Sequence, residues 1–163
     1  MRVAVLGDTH LPRGERALPE ECVRRLRAAD LILHTGDHTS IAFLERLRAL
    51  GPPVQTVFGN ADEPALRELL PRDLTLELEG VRVGMTHVPG PRAGREERLA
   101  ARFPGCGAVL YGHTHVPEAE RHRGVWILNP GSPTERRRAP ERTMLELLIT
   151  GTEISPQLVA LGT

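Results

Sequence analysis

The chain opens on a short apolar run, Arg2 to Leu6, that stops at Gly7, which is the length and composition of a buried strand. From Leu18 to Ala29, Val23 and Leu26 sit on a charged background with Pro19 near the start, as in a helix with proline in its first turn. Leu31 to Leu33 is a second buried strand, closed by His34-Thr35-Gly36. Behind Ser40, a natural cap, Ile41, Leu44, Leu47 and Leu50 recur at helical spacing until Gly51-Pro52-Pro53 ends the helix. Val54 to Phe58 predicts a third strand, Gly59-Asn60 a turn, and Glu63 to Leu70 a short helix.

After Pro71 the period changes. Leu74, Leu76 and Leu78 alternate with polar residues, Glu79-Gly80 turns the chain, and Val81, Val83 and Met85 continue the alternation, which predicts a hairpin. A helix follows over Gly94 to Phe103 and a strand over Gly107 to Tyr111. Residues 116–129 read as a hairpin turning near Arg123-Gly124, and Thr143 to Ile149 and Glu153 to Leu161 as two strands joined at Thr150-Gly151. Thr134 to Pro140, with three consecutive arginines, is expected to be a mobile loop. Strand and helix alternate in the first half and hairpins dominate the second, so an α/β (α+β) domain of sheets flanked by helices is expected over residues 1–163.

Charge and composition narrow the function classes. Lys+Arg is 21 and Asp+Glu is 21, so the formal net charge is zero, and every basic residue is an arginine. That balance offers no global attraction to nucleic acid or to a membrane surface. Cys22 and Cys106 are the only cysteines, too few and too far apart for a disulfide framework or a zinc ribbon, and are expected as buried thiols. The first apolar run is short and ends at an aspartate, unlike a secretory signal, and no segment approaches the ~20 apolar residues of a membrane span. A cytoplasmic protein is expected.

The chemistry-bearing residues fall just after the predicted strands. Asp8-Thr9-His10 follows the first, Gly36-Asp37-His38 the second and Gly59-Asn60-Ala61-Asp62 the third; Thr86-His87 ends the hairpin, and Gly112-His113-Thr114-His115 follows the next strand. Ligands of layered α/β folds bind at the carboxyl ends of strands. Convergence there would assemble two aspartates, one asparagine and four histidines. The glycines before Asp8, Asp37, Asn60 and His113 are expected to let the backbone turn sharply without a Cβ clash. Each fragment alone is weak; the ordered series D-x-H, GD, GN-x-D, isolated His and GH-x-H is specific.

The series resembles the calcineurin-like metallophosphoesterase superfamily, and within it the small single-domain phosphodiesterase group, which the late fragment Asn129-Pro130-Gly131-Ser132 also fits. The resemblance implies a four-layer αββα sandwich of two mixed sheets with helices outside. It implies that Asp8, His10 and His115 bind one metal, that Asn60, His87 and His113 bind a second, and that Asp37 bridges them. The function it implies is hydrolysis of phosphodiesters by a hydroxide held between the metals. Imidazole with carboxylate suits two divalent transition-metal ions, manganese foremost, with nickel, iron, cobalt or zinc as alternatives. A small phosphoester is the expected partner; membrane is excluded, nucleic acid is disfavoured, and a homo-oligomer is left open.

Most of the remaining polar residues have ordinary structural readings. Asp62 reads first as a helix N-cap and otherwise as a carboxylate orienting a ligand. His34 reads as a satisfied core histidine, His122 as exposed near a hairpin tip, Arg136 to Arg138 as a solvated loop, and Cys106 as buried. Many members of the superfamily carry a proton-donating histidine where this chain has Ala61. His38, beside Asp37, reads equally as a site residue and as a surface residue; as a site residue it is the first suspect for that donor and joins Asp37 and Asn60 as a candidate catalytic residue. Two rival functions are a non-catalytic protein-binding scaffold on the same fold, which would tolerate loss of a ligand position, and a nuclease, which the neutral charge and the few aromatics disfavour.

Overall fold

The computed structural model describes residues 1–163. Its elements run β1 (Arg2–Leu6), α1 (Glu20–Arg27), β2 (Leu31–His34), α2 (Ile41–Arg48), β3 (Val54–Thr56), α3 (Pro64–Leu69), β4 (Asp73–Leu78) and β5 (Val81–Thr86), then α4 (Arg95–Arg102), β6 (Ala108–Leu110), β7 (Glu118–His122), β8 (Val125–Asn129), β9 (Thr143–Thr150) and β10 (Glu153–Ala160). The strands form two five-stranded sheets, ordered β10-β9-β1-β2-β3 and β4-β5-β6-β8-β7.

Successive side chains of a strand point to opposite faces, and in β1 this divides the residues between two cores. Val3 and Val5 enter the layer between the sheets with Leu31, Leu33, Val83, Met85, Leu110, Leu128, Leu145 and Leu147. Ala4 and Leu6 face the other way, with Ile32, onto Cys22 and Leu26 of α1 and Leu47 of α2. The second sheet repeats the device: Val109 and Ile127 leave the inter-sheet layer and pack on Leu99 of α4 and on Phe103. Leu66 of α3 packs on Leu44 of α2. The result is the expected αββα sandwich of mixed sheets.

Parallel pairing is what positions the site. β1, β2 and β3 run parallel in the first sheet, and β5, β6 and β8 in the second. Within each sheet the segments that follow these strands therefore leave from a common edge, and they carry every residue of the predicted cluster.

Two elements differ from the expectation. β3 stops at Thr56 rather than Phe58, because Phe58 N–H turns to Pro71 O at 3.1 Å and Gly59 N–H to an Asp62 carboxylate oxygen at 2.7 Å. The arginine-bearing segment expected to be mobile is pinned at its start: Ser132 Oγ donates to Asp8 O at 2.8 Å and Thr134 Oγ1 to Thr9 O at 2.8 Å, and Ala139 is buried. No helix is long and apolar enough to cross a membrane.

Candidate metal centre

The structure brings Asp8, His10, Asp37, Asn60, His87, His113 and His115 together. Their local backbone is unusual: of nine non-glycine residues with positive φ, five are Asp8, His10, Asp37, His113 and His115. The left-handed region costs a non-glycine residue about 1–3 kcal/mol. This revises the reading of the glycines. Of the four that precede candidate ligands only Gly36 has a positive φ; after Gly7 and Gly112 the left-handed turn falls on the ligand itself, Asp8 and His113, and at Gly59-Asn60 there is none. Gly59 is needed for space, since a Cβ there would lie 2.1 Å from Asp37 Oδ1 and 2.4 Å from Asp37 N.

The donor atoms form two overlapping groups, Asp8 with His10 and His115, and Asp8 with Asp37 and His87. His10 Nε2 lies 3.3 Å from His115 Nε2 and 3.5 Å from Asp37 Oδ2. His87 Nε2 lies 3.2 Å from the same Asp37 oxygen, so Asp37 stands between a His10 side and a His87 side. Asn60 Oδ1 extends the second side, 2.9 Å from His87 Nε2 and 2.9 Å from His113 Nδ1. Asp8 joins the halves: Oδ1 is 3.4 Å from His115 Nε2, and its carboxylate accepts the His113 N–H at 2.9 Å. Asp8, Asp37, His87 and His115 are buried, whereas Asn60 is exposed and His113 half-buried, so the cluster is approached from their side.

Histidine tautomers test whether these residues suit a metal. His115 Nδ1 lies 2.8 Å from Glu135 O, and His87 Nδ1 lies 2.8 Å from Thr35 O. A carbonyl only accepts, so both rings carry their proton on Nδ1 and turn Nε2 toward the carboxylates, which is how a protein orients metal-binding imidazoles. Burial pulls the His10 pKa down, against Asp37 and Asp8, and burial with His87 does the same for His113; both rings are held neutral with a lone pair to offer. Burial pushes the Asp37 carboxyl up, but hydrogen bonds from His87 and from the Ala61 N–H (2.8 Å) outweigh it and keep the group ionised. Burial also opposes the charge on His87, yet Asp37 and Asp8 outweigh it and raise that pKa. A cation taken at His87 Nε2 therefore displaces a proton, and uptake weakens in acid. Two carboxylates, an amide oxygen and imidazoles fit divalent transition metals.

Beneath the cluster lies a buried polar layer that the sequence reading caught only in part. Asp62 does not cap α3, whose N-cap is Glu63. Its carboxylate accepts the backbone N–H groups of Gly59 (2.7 Å), Thr39 (2.7 Å) and Asp37 (3.2 Å). His38, expected either in the site or at the surface, is fully buried: its ring stacks on His34 with centroids 3.8 Å apart, Nδ1 lies 3.3 Å from Asp62 Oδ2, and Nε2 lies 2.9 Å from Thr56 Oγ1. With both nitrogens engaged inside the protein, it has no path to a leaving group. His34 is the satisfied core histidine expected, accepting the Gly36 N–H at Nδ1 and donating from Nε2 to Thr9 Oγ1 at 3.1 Å. His122 is half-buried rather than exposed, and lies outside the cluster.

Three further residues support the cluster in ways that the sequence pattern does not spell out. Thr35 and Glu135 act through main-chain carbonyls, which no side-chain pattern announces. Asn129 holds the His-bearing turn through Nδ2 to Gly112 O (3.3 Å) and Thr114 Oγ1 (3.0 Å), a role the fragment Asn129 to Ser132 signalled without explaining.

Comparison with known proteins agrees with this geometry. The profile of the calcineurin-like phosphoesterase superfamily domain matches residues 1–151. A probable metallophosphoesterase of Methanothermobacter thermautotrophicus is 35% identical over 99% of this chain and 94% of its own. Among solved structures, wild-type Vps29 of Entamoeba histolytica, complexed with zinc, has a TM-score of 0.78 at 24% identity and covers 99% of this chain and 100% of its own. A structure described as a novel archaeal phosphodiesterase has a TM-score of 0.73 at 19% identity and covers 98% and 100%. At those identities the two structures speak for the fold, and the profile and the archaeal relative for the family: the chain belongs to the calcineurin-like phosphoesterase superfamily.

Proposed function

We propose that the chain is a phosphodiesterase that works with two divalent transition-metal ions, manganese foremost. Asp8, His10 and His115 would hold one ion, Asn60, His87 and His113 the other, and Asp37 would serve both. The observation that carries this reading is the pair of histidines whose Nδ1 atoms are tied to Glu135 O and Thr35 O while Nε2 faces the carboxylates. Such ions, when bound, supply Lewis acidity toward phosphoryl oxygens and acidify a water.

The chain's own residues do the rest. Asp8 and Asp37 bring negative charge that offsets two cations in a small volume. The Ala61 N–H fixes Asp37 Oδ1 at 2.8 Å, so the position that holds a proton donor in many relatives here contributes orientation and no proton. Asn60 and His113, on the open side, are the residues a substrate phosphate meets first. No side chain of the cluster stands ready to protonate a departing oxygen, which favours substrates whose leaving group is stable as an anion.

Elemental analysis of the purified protein, with titration of the stripped protein by manganese, zinc and nickel, is the test, paired with hydrolysis of bis(p-nitrophenyl) phosphate. About two ions per chain are expected, with hydrolysis that requires them. Zero binding under non-chelating conditions would refute the reading and leave the scaffold function ahead; metal uptake without turnover of any phosphodiester or phosphomonoester would do the same.

A further inference from the structure

The chain between β8 and β9 crosses from the second sheet to the first, and on the way it bonds to ligand-bearing turns of both. Its anchor is Thr143, which opens β9: Thr143 Oγ1 donates to Pro130 O at 2.8 Å, and the Thr143 N–H to Ser132 O at 3.0 Å. Ser132 is buried and spends its whole hydrogen-bonding capacity here. Its hydroxyl proton goes to Asp8 O at 2.8 Å, and its oxygen accepts the N–H groups of Glu135 at 2.9 Å and Thr134 at 3.3 Å. Thr134 Oγ1 donates to Thr9 O at 2.8 Å, and Glu135 O accepts the Nδ1 proton of His115 at 2.8 Å. One short segment therefore grips the turn Asp8-Thr9-His10 on one side and the His115 ring on the other. The ligands on the far side are held from elsewhere: His87 by Thr35 O at 2.8 Å, and the Asp37 N–H by Asp62 at 3.2 Å.

We propose that Ser132 to Glu135 form a clasp that sets the affinity of one metal position, that of Asp8, His10 and His115, separately from the other, with Ser132 as its positioning residue. The inference rests on the two-metal reading and says which residues decide how tightly each ion is held. Asp8, His10 and His115 all lie in the left-handed region, at φ 51°, 47° and 60°, so their turns relax once the bonds that fix them are removed. Groups behind a metal ligand typically govern affinity by about 10–100-fold. A link between the halves runs from the His113 N–H to the Asp8 carboxylate at 2.9 Å, so the second ion should feel loss of the clasp weakly.

Calorimetric titration of the stripped protein with manganese separates the two positions. Ser132→Ala should weaken one binding step by about 10–100-fold and leave the other near wild type. In a His113→Ala background, where the ion at Asp8, His10 and His115 remains, Ser132→Ala should weaken it as strongly; in a His115→Ala background it should change little. Thr134→Val, which keeps the side-chain shape and removes the hydroxyl on Thr9 O, should give a milder loss at the same step, and Thr134→Ser should retain the wild-type affinity. Equal weakening of both steps, no weakening of either, or the same loss in both backgrounds overturns the clasp. A readout without metal is the exchange of histidine ring protons in nitrogen-15 NMR in chelator. Ser132→Ala should speed exchange of the His115 Nδ1 proton and spare that of His87; equal acceleration of both, or of neither, refutes the positioning role. If the wild-type chain takes up no ion, the metal reading fails, and the two ring protons still decide whether the clasp holds His115.

Discussion

Asp62 is the residue whose removal tests the architecture most directly, because it touches no substrate-facing atom and yet holds the peptide groups on either side of the cluster. Its carboxylate accepts the N–H groups of Gly59, Thr39 and Asp37 and faces His38 Nδ1. Asp62→Ala leaves those donors buried without an acceptor. Each such orphan costs about 1–3 kcal/mol. Water can reach the half-buried Thr39 but not readily the others, so a total of about 3–5 kcal/mol is expected, the range for breaking a buried charged network. At about 2–4 °C per kcal/mol for a domain of this size, the melting temperature should fall by about 10 °C. Freed of these tethers, Asp37 loses the backbone setting that aims its carboxylate, and metal affinity should drop about 10–100-fold.

The pH dependence of a second variant at this position, Asp62→Asn, gives an independent reading. Burial pushes the Asp62 carboxyl up, but the hydrogen bonds it accepts from His38 and from the Gly59 and Thr39 backbone outweigh it and hold it below its usual value. The folded chain therefore binds fewer protons here than the unfolded chain. The stability Asp62 contributes is present above about pH 3.9, the value in an unfolded chain, and is lost as pH falls through the lower folded value. Asp62→Asn lacks this component, so the gap between wild type and variant should narrow in acid. Urea denaturation in chelator across the acid range measures the gap, and metal titration at neutral pH measures the affinity. A melting temperature within a degree or two of wild type, together with unchanged metal uptake, would refute the account of Asp62 as the organiser of the cluster.

Asp37→Ala removes the oxygen that lies 3.5 Å from His10 Nε2 and 3.2 Å from His87 Nε2, and should cut metal content most of all single ligand changes, while His122→Ala should leave it intact; elemental analysis decides. Gly59→Ala places a Cβ 2.4 Å from the Asp37 main-chain nitrogen, a collision with backbone that no rotamer relieves, and should cost stability at the upper end of the ~1–3 kcal/mol of overpacking and weaken metal uptake, both read by denaturation and titration. Across aryl and alkyl phosphodiesters with one fixed metal, kcat/KM should fall steeply as the leaving-group pKa rises, because Ala61 offers no proton, His38 is buried, and a positioned acid is worth about 10²–10⁴-fold. A flat series with an essential protonated group in the pH profile would show that a proton donor exists.

Much of the fold could be read from period alone. The short apolar run Val3-Ala4-Val5-Leu6 predicts a buried strand, and each residue goes to the core its parity requires. Helical spacing at Ile41, Leu44 and Leu47 predicts α2, and Ser40 caps it, accepting the Phe43 N–H at 3.2 Å. Strand order was not legible. β9 pairs antiparallel with β1 across more than a hundred residues of intervening chain, and nothing in the local pattern of Thr143 to Thr150 says which neighbour it takes. Strand ends misled for a different reason: Val57 and Phe58 have the composition of a strand, and the Asp62 carboxylate, three residues beyond Gly59, takes the Gly59 N–H and draws the chain out of the sheet.

The site divides along the same line. Residue types that ligate metals advertise themselves, so the seven-residue cluster could be named from order and spacing. What holds them does not advertise itself, because it is made of carbonyl oxygens and peptide N–H groups common to all residues. His38 shows the consequence: its neighbour Asp37 points into the cluster, and one residue of register, with Asp37 at φ 60° and Thr39 at φ 86°, is enough to send the imidazole into the interior. The strain of five left-handed candidate ligands belongs to the same account. It is tolerated because the surrounding contacts fix the backbone: Asp62 on the Asp37 N–H, Ser132 on Asp8 O, and Asn129 on Gly112 O. Donor atoms held in this way need little rearrangement to accept a cation. That is why loss of a tether such as Asp62 should be felt in metal affinity, and not in stability alone.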